Sequence, residues 1–253
     1  MKAAAVLASR GHEVVVHEAD SQLGGQARLA QLLPGRAEFG GIITNLAREM
    51  ELAGVAVRRN SPVTRALVEA DGADAVVIAT GGKPHRPAIE GGEDTHIVDA
   101  WQVLVGQANV GANVLIADWR ADWIGLGIAE KLARDGCNVT LCVEGLAAGE
   151  TIHGYVRDTM VANLHRLGVR IVTYARLYGT DGSTIYMEHC ASGEPVMFED
   201  IDTLVLSQGH DRVAELETEL EDFAGEVHVI GDALTPRTAE EAVLEGLKIG
   251  RLI

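Results

Sequence analysis

The sequence predicts an α/β protein with parallel sheets, and three observations support this class. Strand-like apolar runs such as AVVIA (75–79) are typical of strands buried on both faces of a parallel sheet. Glycine is abundant at 29 residues, whereas aromatic residues make up only 4% of the 253. A helix–glycine–strand join occurs twice, as RGHEVVVHE (10–18) and DGCNVTLCVE (135–144), each ending in an acidic residue. Small residues let helices lie close to such a sheet.

Local patterns place the individual elements along the chain. Alanine-rich residues after Met1 favour a first helix, and Gly11 and Gly54 are placed to end helices. Helices are predicted at 1–10, 37–53, 126–134, 155–167 and 238–249. Strands are predicted at 14–16, 55–57, 75–79, 114–117, 139–143, 169–172, 185–188, 195–198, 203–207 and 227–230. Residues 83–95, with two prolines and two glycines, are predicted as a loop.

The duplicated join indicates a three-layer, Rossmann-like architecture with two nested dinucleotide-binding units. Residues 1–99 and 206–253 are predicted to form the first unit. Residues 100–205 are predicted as an inserted NAD(P)-binding-like unit.

Composition excludes several classes of partner. Lys and Arg number 21 and Asp and Glu 37, a net charge of −16, which disfavours nucleic acid and anionic membranes. No apolar run reaches about 18 residues, so no membrane span is predicted. Cysteines at 137, 142 and 190 form no CxxC, which disfavours a redox dithiol, a zinc site or an iron–sulfur cluster. Sparse cysteines fit a reducing, cytoplasmic compartment.

Glu18 lies where a Rossmann unit places its ribose-binding acid. In such a unit a strand leads through G-x-G-x-x-G into the first helix, with the acid about 20 residues further on. This chain opens already inside that helix, so we hypothesise that Met1 is an internal methionine and that the first unit is truncated. A carboxylate can accept hydrogen bonds from both ribose hydroxyls. The alternative is a solvated acid at the end of a strand.

Four stretches carry a resemblance to a known family: 17–39, 73–87, 202–210 and 227–253. They resemble the C-terminal nucleotide-binding region of the family of 2,4-dienoyl-CoA reductase and trimethylamine dehydrogenase, the NADH:flavin oxidoreductases. The resemblance covers nearly the whole chain. It implies a cofactor-binding set consisting of Glu18, Gly24, Gly25, Gln26, Val63, Ala79, Thr80, Gly81, Gly231 and Asp232.

Each of these roles has an alternative. The two adjacent glycines at 24 and 25 also suit a plain turn, Val63 an edge strand, and Thr80 and Asp232 turn caps. No catalytic residue and no metal ligand is predicted.

The second unit departs from the fingerprint. With Gly125 as its third glycine, the first and second places fall on Arg120 and Asp122. These side chains would crowd a pyrophosphate, and Asp122 would repel it. The resemblance implies that the first unit, residues 1–99 and 206–253, binds FAD or ADP, and the pattern argues against NAD(P)H in the second unit.

The resemblance implies the nucleotide-binding module of a flavin-dependent oxidoreductase, an amine or N-methyl dehydrogenase or an enoyl reductase-like enzyme. Its FMN, iron–sulfur cluster and substrate site belong to an N-terminal TIM barrel, so this chain alone is expected to be inactive on substrate. Expected partners are that barrel and an electron-transfer flavoprotein. Unpaired strand edges favour a homo-oligomer. The alternative is a non-catalytic structural or interaction module derived from such a reductase.

Overall fold

The computed structural model describes residues 1–253 and has the predicted α/β class. The chain divides into two compact units. Unit 1 comprises Met1–Gln31, Ala37–Lys83 and His210–Ile253, and unit 2 comprises Leu32–Arg36 and Pro84–Gly209. Unit 2 therefore takes in residues 84–99 and extends to 209, whereas the predicted domain boundaries lay at 99 and 206.

Nine α-helices follow one another along the chain. They are α1 Lys2–Ser9, α2 Gln26–Ala30, α3 Gly40–Leu52, α4 Arg65–Asp71, α5 Ala100–Leu104, α6 Trp123–Arg134, α7 Gly154–Arg166, α8 Glu215–Glu219 and α9 Ala239–Leu252. Three short 3-10 helices span Ala37–Phe39, Gly92–Asp94 and Gly231–Ala233. None of the helices is long and apolar enough to cross a membrane.

The chain also forms fourteen strands. They are β1 Val15–His17, β2 Ala56–Arg58, β3 Ala75–Ile78, β4 Gly82–Pro84, β5 Ile97–Asp99, β6 Asn113–Asp118, β7 Asn138–Val143, β8 Arg170–Val172, β9 Ala175–Asp181, β10 Thr184–His189, β11 Pro195–Phe198, β12 Thr203–Ser207, β13 His210–Arg212 and β14 Glu226–Val229.

Unit 2 is built on one five-stranded parallel sheet with the order β5-β12-β6-β7-β8. Its central strands are apolar because both faces are covered. On one face, residues of α5, α6 and α7 form a buried cluster with β6 and β7. On the other face, the antiparallel sheet β11-β10-β9 packs against β6 and β12. Unit 2 therefore has three layers.

Unit 1 contains three separate two-stranded sheets. β1 pairs with β2 and β3 pairs with β14, both in parallel, and β4 pairs with β13. Its apolar core is divided in the same way. One cluster joins α1 and α3 around Met50, and the other joins β3, β14 and α4 around Ile78. Six of the predicted site residues follow the ends of β1, β3 and β14: Glu18, Ala79, Thr80, Gly81, Gly231 and Asp232. Gly24, Gly25 and Gln26 lie at the start of α2, and Val63 lies between β2 and α4.

Candidate functional site

The carboxyl end of β1 holds Glu18 by its backbone. Its N–H donates to the carbonyl of Arg58 (2.8 Å), and its own carbonyl accepts from the N–H of Ser61 (2.9 Å). Carboxylate oxygen Oε1 accepts from the N–H of Asp20 (2.9 Å), whereas Oε2 accepts no hydrogen bond within the chain. The charge of Glu18 also acts on the N-terminal ammonium of Met1, where it opposes the burial that lowers the pKa of that group. The side chain of Glu18 is half-buried. A fixed acceptor with free lone pairs therefore lies at this strand end.

The turn before α2 requires two glycines in left-handed conformations. Gly24 has φ +115° and Gly25 has φ +47°. A Cβ on Gly24 would lie only 2.6 Å from Cδ1 of Ile43, so no larger residue fits there without displacing that side chain. Around Gly25 the corresponding position has no heavy atom within 4 Å. The backbone at Gly25 is thus open to a ligand, although a plain turn would look the same.

Gln26, the first residue of α2, connects three distant parts of unit 1. Its Nε2 donates to Oδ2 of Asp232 (3.0 Å) and lies 3.5 Å from the carbonyl oxygen of Gly82. A Cβ on Gly81 would lie 3.8 Å from the same nitrogen. The structure therefore brings Gln26, Gly81 and Asp232 together.

Asp232 follows β14 and uses both carboxylate oxygens. Oδ2 accepts from Gln26, and Oδ1 accepts from the N–H of Arg237 (3.1 Å). The N–H of Gly231, where φ is +65°, donates to Oε2 of Glu245 on α9 (2.7 Å). Each oxygen of Asp232 keeps a lone pair. Glu245 belongs to the site but was missed from the sequence, since an acid inside a helix carries no local signal.

The exit from β3 is held by contacts within the chain. The hydroxyl of Thr80 donates to the carbonyl of Val213 (2.6 Å), and the N–H of Val213 donates to the carbonyl of Gly81 (3.0 Å). Ala79 is exposed. The Thr80 side chain thus has the bonding expected of a turn residue, while the exposed backbone at 79–80 leaves room for a cofactor.

Val63 packs its side chain against the unit 1 core cluster that contains Val68 and Ile78. Val63 lies between β2 and α4 and belongs to no strand, so the edge-strand position that the sequence left as the alternative is not found. Its backbone role toward adenine stays a prediction.

A polar cluster that the sequence did not reveal lies beside Glu18. Nδ1 of His17 is 2.9 Å from Oγ of Ser61, and Nε2 is 2.9 Å from Oδ2 of Asp71. Arg58 also pairs with Asp71 (3.0 Å) and lowers the pKa of that carboxyl. The cluster fixes β1 to α4 and to the segment around Ser61, and so stabilises the backbone that holds Glu18.

In unit 2 the corresponding strand end is closed by an acid. Asp118, the last residue of β6, is 1% exposed. Its Oδ1 accepts from the N–H of Ala121 (3.2 Å) and from Oγ of Ser207 (3.2 Å). Burial, and secondly the charge of Asp122, raises the pKa of Asp118 to about 8. No group of three or more His, Cys, Asp or Glu side chains in residues 1–253 is arranged to hold a metal ion.

The parallel sheets and their strand ends define the dinucleotide-binding class of α/β folds, and comparisons with known proteins agree. No model of a protein family matches the chain. It is 30% identical to a probable N-methylproline demethylase from Rhizobium meliloti (strain 1021), over 98% of this chain and 41% of that protein. It is also 30% identical to an NADH oxidase from Thermoanaerobacter brockii, over 98% of this chain and 38% of that protein.

Among solved structures, the chain is similar to a 2-naphthoyl-CoA reductase, with a TM-score of 0.89 and 26% sequence identity. The match covers 100% of this chain and 38% of the reductase chain. The chain thus spans about two fifths of the length of the curated relatives it matches. Its homologues are oxidoreductases that include amine dehydrogenases and demethylases, as the resemblance predicted, and they also include an NADH oxidase.

Proposed function

We propose that unit 1 binds the adenosine diphosphate part of FAD, or ADP itself, as the nucleotide module of a flavin-dependent oxidoreductase. The observation that supports this most is Glu18. Its backbone is fixed by two hydrogen bonds, and its Oε2 accepts no hydrogen bond within the chain. A Rossmann unit binds the adenosine ribose through an acid at the end of its second strand. Glu18, at the end of β1, is presented in this way.

The other residues at the strand ends fit an adenine dinucleotide. The open backbone at Gly25 permits a close approach, and the lone pairs of Asp232 can accept from sugar hydroxyls. Gln26 orients Asp232 through its amide. When FAD is the ligand, the flavin supplies the electron-transfer chemistry, and these residues bind and orient it.

The whole enzyme is proposed to be an amine or N-methyl dehydrogenase or an enoyl reductase-like enzyme. The names of the relatives support this class. We assign the substrate site, FMN and an iron–sulfur cluster to a TIM barrel outside these 253 residues, and propose an electron-transfer flavoprotein as the partner. A non-catalytic module holding ADP alone is the alternative.

Spectra of the purified chain test the proposal directly. If FAD is bound, the desalted protein shows a flavin absorbance band at about 450 nm, whereas bound ADP gives only adenine absorbance. Titration calorimetry with FAD and with ADP then measures each affinity. A chain that binds neither nucleotide contradicts the proposal, and an adenine-only spectrum with tight ADP binding supports the non-catalytic alternative.

Glu18→Gln is the sharpest variant. We expect ADP affinity to fall by about tenfold or more, because a hydrogen bond to a charged group contributes about 1.5–3 kcal/mol. Glu13→Gln is the matched control, since Glu13 is exposed and forms no hydrogen bond or ion pair. If both variants bind ADP as the unsubstituted chain does, Glu18 does not hold the ribose.

A further inference from the structure

Asp118 lies at the topological switch point of the unit 2 sheet. β6 has β12 on one side and β7 on the other, and Asp118 is in register with Ser207 at the end of β12. The chain then continues through a four-residue loop into α6. In open α/β sheets this point, at the carboxyl ends of the strands and beside a helix N-terminus, is where a dinucleotide phosphate binds.

The groups that would bind the phosphate are already engaged by the protein itself. Oδ1 of Asp118 accepts from the N–H of Ala121 in the loop. At the start of α6, Asp122 caps the helix by accepting from the N–H of Ile124 (2.8 Å). Two carboxyl groups of the chain therefore take the place of an external anion.

Gly125 explains how Asp118 fits there. A Cβ on Gly125 would overlap the carboxyl group of Asp118. In a dinucleotide unit the third fingerprint glycine permits close packing of the helix on the strand. Here the missing side chain admits the carboxyl of Asp118 instead. Oδ2 of Asp118 is buried against α6 without a hydrogen-bond partner, so the carboxyl is directed at the helix and not at solvent.

We infer that Asp118 and Asp122 occupy the phosphate position of unit 2, so that this unit takes no nicotinamide dinucleotide. The inference goes beyond the proposed function, whose nucleotide site lies in unit 1. A neutral carboxyl tolerates a missing partner better than a carboxylate does. The raised pKa of Asp118 is consistent with a carboxyl that stays in place at neutral pH.

The consequence concerns the source of electrons. An enzyme containing this chain receives no hydride from NADH or NADPH bound at unit 2. Of the two proposed classes, an amine or N-methyl dehydrogenase needs no such hydride, because its own substrate supplies the electrons, whereas an enoyl reductase would need another reductant. By this criterion the chain is closer to the relatives named as dehydrogenases and demethylases than to the one named as an NADH oxidase.

Hydrogen–deuterium exchange of the full chain with millimolar NADH tests the inference. We expect no change at residues 119–127 in the unsubstituted protein. In Asp118→Gly/Asp122→Ser, exchange there slows by about tenfold when NADH is near ten times its Kd. In Asp118→Asn/Asp122→Asn, which keeps the side-chain volume, no protection is expected.

Protection of residues 119–127 by NADH in the unsubstituted chain would overturn the inference, as would its absence in the folded Gly/Ser variant. If NADH protects residues 119–127 in Asp118→Asn/Asp122→Asn as well as in the Gly/Ser variant, the inference is also overturned. The charge of the two carboxyl groups, and not the space that they occupy, would then exclude the cofactor. Exchange at 18–26 and 231–237 reports separately on unit 1, so failure of the proposed function is distinguishable.

A double-mutant cycle gives a second measurement that needs no ligand. Gly125→Ala should lower the unfolding midpoint of unit 2 in the presence of Asp118, because the new methyl group overlaps its carboxyl. In the Asp118→Gly background, Gly125→Ala should leave the midpoint unchanged. Additive effects would show that Asp118 does not fill the space against Gly125.

Discussion

The two units contain similar apolar strands, but they bury them differently. In unit 2, β6 pairs on both sides, and residues 114–117 are at most 1% exposed. In unit 1, β1 and β3 each pair on one side only, and Val15 in β1 is 36% exposed. The strands of unit 2 share one continuous sheet, whereas those of unit 1 are divided among three pairs.

This difference shows that an apolar run specifies a strand but not its burial. A parallel strand is shielded from solvent by neighbours on both edges as well as by helices on both faces. β1 and β3 have helices nearby but lack the second neighbour. No strand within residues 1–253 pairs with either free edge. We therefore expect unit 1 to be the less stable region.

The largest effect is expected in the pH dependence of stability, where Asp118, the buried acid of unit 2, differs from the half-buried acids of unit 1. Because the pKa of Asp118 is raised from 3.8 to about 8, the folded state binds more protons than the unfolded state between these values. The free energy of unfolding of unit 2 therefore falls as pH rises from about 4 to about 8, by at most about 5 kcal/mol. Asp118→Asn should remove this decline, as urea unfolding across that range would show.

Asp122→Asn is the control for the cause of this shift. It removes the neighbouring charge but leaves Asp118 buried, so the pKa of Asp118 stays raised, but by less. The free energy of unfolding should therefore still fall with rising pH, over a narrower pH range. An unchanged slope in Asp118→Asn would mean that Asp118 titrates as an exposed acid does. The contrast between the two units would then rest on strand pairing alone.

Hydrogen exchange at the strands measures the contrast in pairing. Backbone N–H groups of β6 and β12 should exchange at least about 100-fold more slowly than those of β1 and β3, corresponding to about 3 kcal/mol. The reason is that one-sided pairs open without disrupting a continuous sheet. Equal protection in the two units would show that the free edges of β1 and β3 cost no stability.

Much of this architecture was predictable because it depends on local patterns. The strand 203–207 and the helix predicted at 155–167 match β12 and α7 closely, since β-branched runs and an unbroken helical segment specify them. α4 was missed because it is only seven residues long, too short for a helical periodicity to stand out. β4 and β13 were missed because they are short and polar and pair only with each other.

The site was predictable only in part, because only some of its features depend on local sequence patterns. The positions of Glu18 and Asp232 follow from the strands that precede them. The bond from Gln26 to Asp232 joins residues 206 apart, and no local pattern specifies it. Burial of Asp118 depends equally on a distant residue, Ser207, and on the close approach of Gly125. Contacts that tertiary packing creates require the structure.

The smallest expected effect is the difference in lost stability between the same substitution, Val→Ala, in the core of each unit. Val205 in β12 is fully buried, whereas Val16 in β1 is only partly buried in the unit 1 core. Val205→Ala should destabilise unit 2 by about 2–3 kcal/mol, because the loss of buried methyl groups leaves a cavity that the rigid sheet cannot close. Val16→Ala should cost unit 1 about 1 kcal/mol.

Each value is measured on the unfolding transition of its own unit, since the two units need not unfold together. Val14, next to β1 and also partly buried, gives a matched second site in unit 1. If Val16→Ala costs as much as Val205→Ala, the β1 region is packed as tightly as the centre of a five-stranded sheet. Its free edge would then be shielded in solution, and the lower stability expected of unit 1 would not follow from the missing neighbour.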